Sequence, residues 1–153
     1  NLSAVDLRAA AADALDDAAL IARAREVSLV NEVPPSLRAE ADPERLRQVL
    51  ANLIDNAIKY GRPGGTVTLR GRDAGGGMVE ISVRDDGPGI PPEALSRVFE
   101  RFYRVDSQRS RTLGGTGLGL AIVKHIVERH RGRLEIDSRL GEGTRVSFTL
   151  PIA

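Results

Sequence analysis

The sequence contains no cysteine and no tryptophan, and aromatic residues make up only 3% of it. The lack of cysteine excludes a disulfide framework. Scarce aromatics leave few surfaces for base stacking, and a net charge of +1 lacks the basic excess that nucleic-acid-binding proteins usually carry. No apolar run approaches the roughly 18 residues that a membrane span needs, and the chain does not begin like a signal sequence. We therefore expect a globular domain without a nucleic-acid partner, which neither spans a membrane nor is exported by itself.

A length of 153 residues is enough for one domain, over residues 1–153, with its own hydrophobic core. Periodicity of 3.6 predicts helices over 5–24, over 42–60, and from the glycines at 114–119 to about His130. Alternation predicts strands over 27–33, 37–41, 66–72, 78–84, 133–138 and 144–150. The first two strands are joined by a turn at Pro34 and Pro35, and the others form two hairpins. This order predicts an α/β two-layer sandwich, with helices on one face of a mixed, mostly antiparallel sheet.

The predicted helix over 42–60 has two different faces. Asp42 can cap its start, Pro43 fits the first helical position, and Gly61 ends it. One face is apolar and must be core; it consists of Leu46, Val49, Leu50, Leu53, Ile54, Ala57 and Ile58. The other carries a narrow polar row of Gln48, Asn52, Asn56 and Lys59.

Two interpretations of the polar row are open from the helix alone. It could be an ordinary solvated face, although such a face normally carries Glu, Lys and Arg rather than carboxamides, which are mediocre helix formers. It could also be a binding site, because amide oxygens suit a hard divalent cation and an ammonium group suits phosphate.

Asp85 lies where a predicted strand ends and the turn Asp86-Gly87-Pro88-Gly89 begins. A carboxylate at that position can accept a hydrogen bond from the exocyclic amine of adenine, whereas guanine presents an acceptor at the same place. Asp86 is interpreted as a turn residue. A carboxylate at the end of this strand is therefore chemically suited to choosing adenine over guanine.

The glycines at 114–119 fit neither the dinucleotide fingerprint nor the P-loop, because the required third glycine and the Gly-Lys-Ser/Thr are missing. Small residues at a helix start can still let backbone N–H groups approach phosphate, and a plain turn or hinge is the alternative. Residues 91–99 can form a short helix. The arginine-rich, aperiodic stretch 100–116 is typical of a lid. His125 and His130, five apart, do not suit a shared metal and are interpreted as structural.

Taken together, these residues resemble the ATP-binding catalytic domain of bacterial sensor histidine kinases, in the GHKL superfamily that also holds type II topoisomerases, heat-shock chaperones and mismatch-repair ATPases. QVLANLIDNAIKY is similar to the N box, DDGPGI to the first glycine box and FERFYR to the F box. GGTGLGLAIVK is similar to the second glycine box and GEGT to the third. The resemblance covers essentially the whole chain and implies the Bergerat ATP-binding fold, with ATP between the helical layer and a mobile lid.

The resemblance also implies roles for individual residues. Asn56 would ligate Mg²⁺ with help from Asn52, Lys59 would contact phosphate, and Tyr60 would flank the nucleotide. Asp85 would accept the adenine amine, beside Gly87, Gly89 and Ile90. Phe99 and Phe102 would anchor the lid, with Arg101, Arg104 and Arg109 as weaker candidates. The phosphate end would be shaped by Gly115, Thr116, Gly117, Leu118 and Gly119, and Thr144 would support the adenine end.

The reaction follows from a comparison within the superfamily. Members that hydrolyse ATP carry a glutamate base one turn before the metal-binding asparagine, and here that position is Asn52, which cannot take a proton. Transfer to another acceptor is therefore expected. No acceptor-histidine box occurs, so the resemblance implies a monomeric fragment of a longer, homodimeric kinase.

By the same resemblance, its partners would be its own dimerisation domain and a response regulator. The parent would sit in the bacterial cell membrane with this domain in the cytoplasm. An anti-sigma-type serine kinase and a non-catalytic, ATP-sensing interaction module are the alternatives.

Overall fold

The computed structural model describes residues 1–90 and 118–153, and all structural statements below concern those residues. Four helices are present in them: α1 (Leu7–Asp17), α2 (Ala19–Ala24), α3 (Pro43–Tyr60) and α4 (Leu118–Arg129). The strands are β1 (Ser3–Asp6), β2 (Ser28–Glu32), β3 (Arg38–Ala41), β4 (Thr66–Gly75), β5 (Met78–Asp85), β6 (Leu134–Arg139) and β7 (Gly143–Pro151). None of these helices is long and apolar enough to cross a membrane.

Five strands form one sheet in the order β2-β4-β5-β7-β6, and β1 and β3 form a separate antiparallel pair. β2 runs parallel to β4, and every other pairing in the large sheet is antiparallel. The predicted mixed, mostly antiparallel sheet is therefore confirmed. β5 is the central strand, so its last residue, Asp85, pairs with Val67 on one side and with Thr144 on the other.

The helices cover one face of this sheet, as the sequence predicts. All seven residues of the apolar face of α3 are buried, and Ile54 and Ile58 are completely inaccessible. They pack in one core with the inward residues of the sheet, such as Leu69, Ile81 and Phe148. Burial of this many large apolar side chains, each contributing about 1.5 to 3 kcal/mol, fixes α3 against the sheet.

The N-terminal segment differs from the single helix predicted over 5–24. Residues Ser3–Asp6 are extended because they pair with β3, and the helix starts only after Asp6, whose carboxylate accepts a hydrogen bond from Ala9 N at 3.1 Å. The helix is also interrupted at Ala18, so that α1 and α2 are separate. Neither the pairing of β1 nor the break is visible in an alanine-rich sequence with helical periodicity.

The two strands on either side of Pro34 and Pro35 exist but do not pair with each other. β2 joins β4, and β3 joins β1. Asn31 turns the chain away at the end of β2, because its side chain accepts from Val33 N and donates to Arg8 O. The two prolines also have no N–H to give to a strand ladder.

Helix α4 is buried on one side only. Val123, Ile126 and Val127 face the core, whereas Ile122 is 38% exposed. The polar residues Lys124, His125, Glu128 and Arg129 are also exposed. An apolar residue on a surface helix is common and needs no covering element.

His130 ties the end of α4 to the start of α3. Its Nε2 accepts a hydrogen bond from Asp42 N at 3.1 Å, and its Nδ1 lies 2.9 Å from Ile126 O. Since a backbone N–H can only donate and a carbonyl can only accept, the proton is on Nδ1. The structural role predicted for this histidine is the one the contacts support.

Candidate functional site

The polar row of α3 lies at the surface of the helical layer and is half-buried. Partial exposure is found for Asn52, Asn56 and Lys59 of this row and for the neighbouring Tyr60. The seven buried residues on the other side fix the rotation of the helix, so the row faces away from the core. Gln48 accepts a hydrogen bond from Arg45 Nη1 at 3.2 Å, which is a contact of an ordinary solvated face. The part of the row that remains as a candidate site is therefore Asn52, Asn56 and Lys59.

Lys59 is paired with Asp55, a residue that the sequence analysis did not consider. The distance from Lys59 Nζ to Asp55 Oδ2 is 3.1 Å, one helical turn apart. The two side chains are 27% and 37% exposed, so this ion pair stabilises the helix by a few tenths of a kcal/mol. An interaction of that size can be exchanged for a contact with a phosphate.

Asp85 is buried at the end of β5, with only 8% of its surface exposed. Its Oδ1 accepts a hydrogen bond from Gly87 N at 2.8 Å, which orients the carboxylate within the turn. A buried carboxylate held in this way is an acceptor for a ligand N–H group.

Gly61 and Gly87 bring the end of α3 against the turn that follows Asp85. A Cβ atom on Gly87 would lie 2.6 Å from Gly61 Cα, and one on Gly61 would lie 3.3 Å from Asp85 Cβ and collide with Ala57 O. Gly61 ends the helix as predicted, with a φ of −75° rather than the left-handed conformation that is common at helix ends. A side chain is excluded at Gly61 by the carbonyl oxygen of Ala57 in its own helix, and at Gly87 by the backbone of Gly61. This contact places the Lys59 end of the polar row next to Asp85.

Thr144 belongs to a hydrogen-bonded group with Ser138 and Ile90. Ser138 Oγ accepts from Ile90 N at 2.7 Å and lies 3.1 Å from Gly143 O and 2.8 Å from Thr144 Oγ1. The single hydroxyl proton of Ser138 is best used by the Gly143 carbonyl, so Thr144 donates to Ser138. Gly141 N also donates to Pro88 O at 2.8 Å. The β6-β7 turn and its flanking residues thus hold the segment 85–90 in place through these hydrogen bonds.

Three residues near the site make contacts that the sequence analysis did not predict. Ser138 looked like one polar position in an alternating strand. Asp86 is more than a turn residue, because both of its carboxylate oxygens accept from Thr66 N, at 3.1 and 3.2 Å. Arg25 donates to the carbonyl oxygens of Ile58 and Gly61 at the end of α3. All three act across distances of 20 or more residues in sequence, which no local pattern reveals.

The remaining predicted site residues lie wholly or partly outside the described residues. Leu118 and Gly119 are the first residues of α4, and nothing is described of their side chains. The short helix 91–99, the stretch 100–116, and residues Phe99, Arg101, Phe102, Arg104, Arg109, Gly115, Thr116 and Gly117 lie outside the described residues.

A family model described as histidine kinase-, DNA gyrase B- and HSP90-like ATPase matches residues 41–153. This chain belongs to that family. The matched range of this ATPase family contains α3, Asp85 and the β6-β7 turn, whereas Arg25 precedes it.

Among relatives in the family, the chain is 46% identical over 129 residues to the sensor histidine kinase WalK of Bacillus subtilis, covering 83% of this chain and 21% of WalK. It spans 21 to 39% of the length of curated relatives of this kind. Its structure is similar to that of the mycobacterial sensor histidine kinase MprB, with a TM-score of 0.83 and 33% identity over 99% of this chain and 98% of that one. It is also similar to full-length ShkA in complex with AMPPNP, with a TM-score of 0.87 and 33% identity over all of this chain and 31% of ShkA.

The fold and family inferred from the motifs are therefore confirmed. The chain has the fold of histidine kinase catalytic domains, and its relatives are named as sensor histidine kinases. The roles of the individual site residues stay predictions.

Proposed function

We propose that this domain binds Mg·ATP and donates the γ-phosphoryl group to a histidine on the dimerisation domain of a two-component sensor kinase, which passes it to an aspartate of a response regulator. The observation that carries the proposal is the close contact between Gly61 and Asp85. A Cβ atom added to Gly61 would lie only 3.3 Å from Asp85 Cβ. Because of it, a base-selecting carboxylate and a row of cation- and phosphate-binding side chains adjoin each other. The AMPPNP bound to the similar ShkA supports a nucleotide as the ligand.

At one end of the site, Asp85 accepts the exocyclic amine of adenine. The carboxylate is buried and fixed by Gly87 N, so it loses little conformational entropy on binding. Gly87 and Gly89 border this end, and a side chain at either position would meet the backbone of Gly61 or of Arg139. Ile90 and Thr144 flank this end through their contacts with Ser138.

At the other end, the chemistry of α3 fits Mg²⁺ and phosphate. Amide oxygens of Asn56 and Asn52 are hard ligands, and Mg²⁺ usually takes only one or two protein ligands beside waters and substrate phosphates. When bound, the ion neutralises charge on the phosphates. Lys59 exchanges its Asp55 partner for a phosphate oxygen, which costs little because the ion pair is partly exposed.

The residue at position 52 favours transfer over hydrolysis. An asparagine amide cannot accept a proton from an attacking water at neutral pH. Phosphoryl transfer instead relies on orientation of the donor and neutralisation of charge, both of which this domain can supply. The acceptor and dimerisation domain are proposed to belong to the longer kinase, a homodimer in the bacterial cell membrane with this domain on its cytoplasmic side. The separate domain 1–153 is proposed to be a monomer.

The proposal is tested with radiolabelled ATP and the isolated domain. Alone, it should hydrolyse ATP very slowly and should not label itself. When a fragment that carries the acceptor histidine of the parent kinase is added, that fragment should become labelled slowly, because the tether that raises the effective concentration is missing. A His→Gln acceptor fragment is the control. Acid-stable label on the domain alone would contradict the proposal and indicate a serine or threonine kinase.

The metal role predicts the behaviour of Asn56→Ala. Removing the amide oxygen should weaken binding of Mg·ATP by about tenfold, and of metal-free ATP by less, because only the former uses the ligand. Calorimetric titrations with Mg²⁺ and with EDTA measure the two affinities. Gln48→Ala is the matched control, since Gln48 is a carboxamide in the same row that binds Arg45. Equal losses with and without Mg²⁺ would place the metal elsewhere.

A further inference from the structure

Arg25 binds the C-terminal end of α3 although it lies in a different part of the chain. It follows α2 and is half-buried. Its Nε donates to Ile58 O at 2.9 Å and its Nη2 to Gly61 O at 3.4 Å. The last carbonyls of a helix have no partner within the helix and form the negative end of its dipole. A guanidinium group is suited to both because its donors form a rigid, planar fork.

The backbone of Arg25 also holds the turn that follows α3. Arg25 O accepts from Gly64 N at 2.9 Å, and the next strand is joined to the same turn by Ser28 N and Gly65 O at 2.9 Å. On the other side, the carboxylate of Asp86 accepts from Thr66 N. The turn 61–65 is therefore fixed between Arg25 and the segment that begins at Asp85.

The carbonyl of Gly61 accepts a hydrogen bond from Arg25, and Gly61 also contacts both Asp85 and Gly87. An added Cβ on Gly87 would be 2.6 Å from Gly61 Cα and 2.9 Å from Asp85 Oδ1, so there is no free space in this contact. A shift of Gly61 toward this contact would displace the carboxylate or the turn beside it. Hydrogen-bond recognition of a base depends on position at the level of tenths of an ångström, because bond strength falls steeply away from the preferred geometry.

We propose that Arg25 is a positioning residue for base selection: by fixing Gly61, it holds Asp85 and Gly87 where adenine is preferred over guanine. This inference rests on the proposed function. Arg25 does not touch the nucleotide and acts only through Gly61. Its effect is therefore on the preference between bases more than on the binding of phosphates.

The test compares Arg25→Ala and Arg25→Lys with Arg8→Ala. Arg8 is the matched control, because its Nη1 makes the same kind of bond to Val33 O at 2.8 Å but joins α1 to the end of β2. Calorimetric titration with Mg·ATP and Mg·GTP gives the ratio of the two dissociation constants, and thermal unfolding gives the stability. A loss of stability alone would not change this ratio, so the ratio separates positioning from general support.

In Arg25→Ala we expect ATP affinity to fall about tenfold and GTP affinity to fall less than about threefold, so that the preference for ATP declines. Arg25→Lys should give an intermediate ratio, because one ammonium group cannot reproduce the planar fork. Arg8→Ala should keep the ratio of the unchanged protein.

The inference is overturned if Arg25→Ala keeps the original ratio, or if Arg8→Ala lowers it equally. Should Arg25→Ala fail to fold, Arg25→Lys decides, and an unchanged ratio in that variant overturns the inference. If the unchanged protein does not bind ATP, the proposed function itself is wrong. ATP binding that is selective but independent of Arg25 refutes only the positioning role.

Discussion

Asp85→Asn should lower the affinity for ATP by about ten- to a hundredfold, the cost of losing a charged acceptor of roughly 1.5 to 3 kcal/mol in a buried site. The substitution preserves the size of the side chain and one oxygen, so the hydrogen bond from Gly87 N to Oδ1, now 2.8 Å, can persist. The other oxygen becomes an NH₂ group, which cannot accept from the adenine amine. It can donate to the oxygen of guanine, so GTP affinity should be maintained or rise.

Titration calorimetry with both nucleotides measures this change in preference. Asp73→Asn is the control: Asp73 is an exposed aspartate in the β4-β5 hairpin whose Oδ1 accepts from Gly75 N at 2.8 Å, so both variants lose one negative charge. We expect ATP affinity in the control to change less than about twofold. Unchanged ATP affinity in Asp85→Asn would refute the assignment of Asp85 to adenine, and equal loss of ATP and GTP would indicate a distorted site.

Gly143→Ala should destabilise the fold by about 2 to 5 kcal/mol, since it combines backbone strain with overpacking. Gly143 has a φ of +120°, which residues with a Cβ rarely adopt. An added Cβ would also meet Asp85 O and lie 3.0 Å from Asp86 Cα, both on the neighbouring backbone. The backbone cannot rotate away as a flexible side chain could, because Asp85 is held in the central strand of the sheet.

Gly141→Ala separates the two causes, because Gly141 lies in the same turn with a φ of +81° and nothing within 4 Å of an added Cβ. It should cost only about 1 to 2 kcal/mol, the strain alone. Urea denaturation gives both free energies of unfolding, and an equal m-value ensures that they are comparable. ATP affinity should fall in Gly143→Ala but not in Gly141→Ala. Equal destabilisation by the two variants would contradict the close contact between the β6-β7 turn and Asp85.

Helix α3 shows why part of this site could be predicted. Its N-cap Asp42 accepts hydrogen bonds from Glu44 N and Arg45 N, as the sequence suggests, and all seven residues of the predicted apolar face are buried. Capping and periodicity are local properties of a helix, and they fix which side chains share a face. The common face of Asn52, Asn56 and Lys59 follows from the same geometry.

Asp55 and Gly61 make contacts that were not predicted from the sequence. The side chain of Asp55 contacts Lys59 four residues later, and this i, i+4 spacing of opposite charges on a helix is visible in the sequence. Gly61 was expected only to end the helix, but in the structure it also contacts Asp85 and Gly87. The first is a local contact and the second is a tertiary one.

Local sequence patterns were sufficient to predict the helix over Pro43–Tyr60, the two antiparallel hairpins and the motifs that identify the family. Each depends on residues within about one element of each other, where periodicity, caps and turns act. Tertiary packing sets the rest: β2 and β3 join different partners, Ser138 supports Ile90, and Arg25 binds the end of α3. Those contacts form between segments far apart in sequence, and their geometry is set by how the helices pack on the sheet.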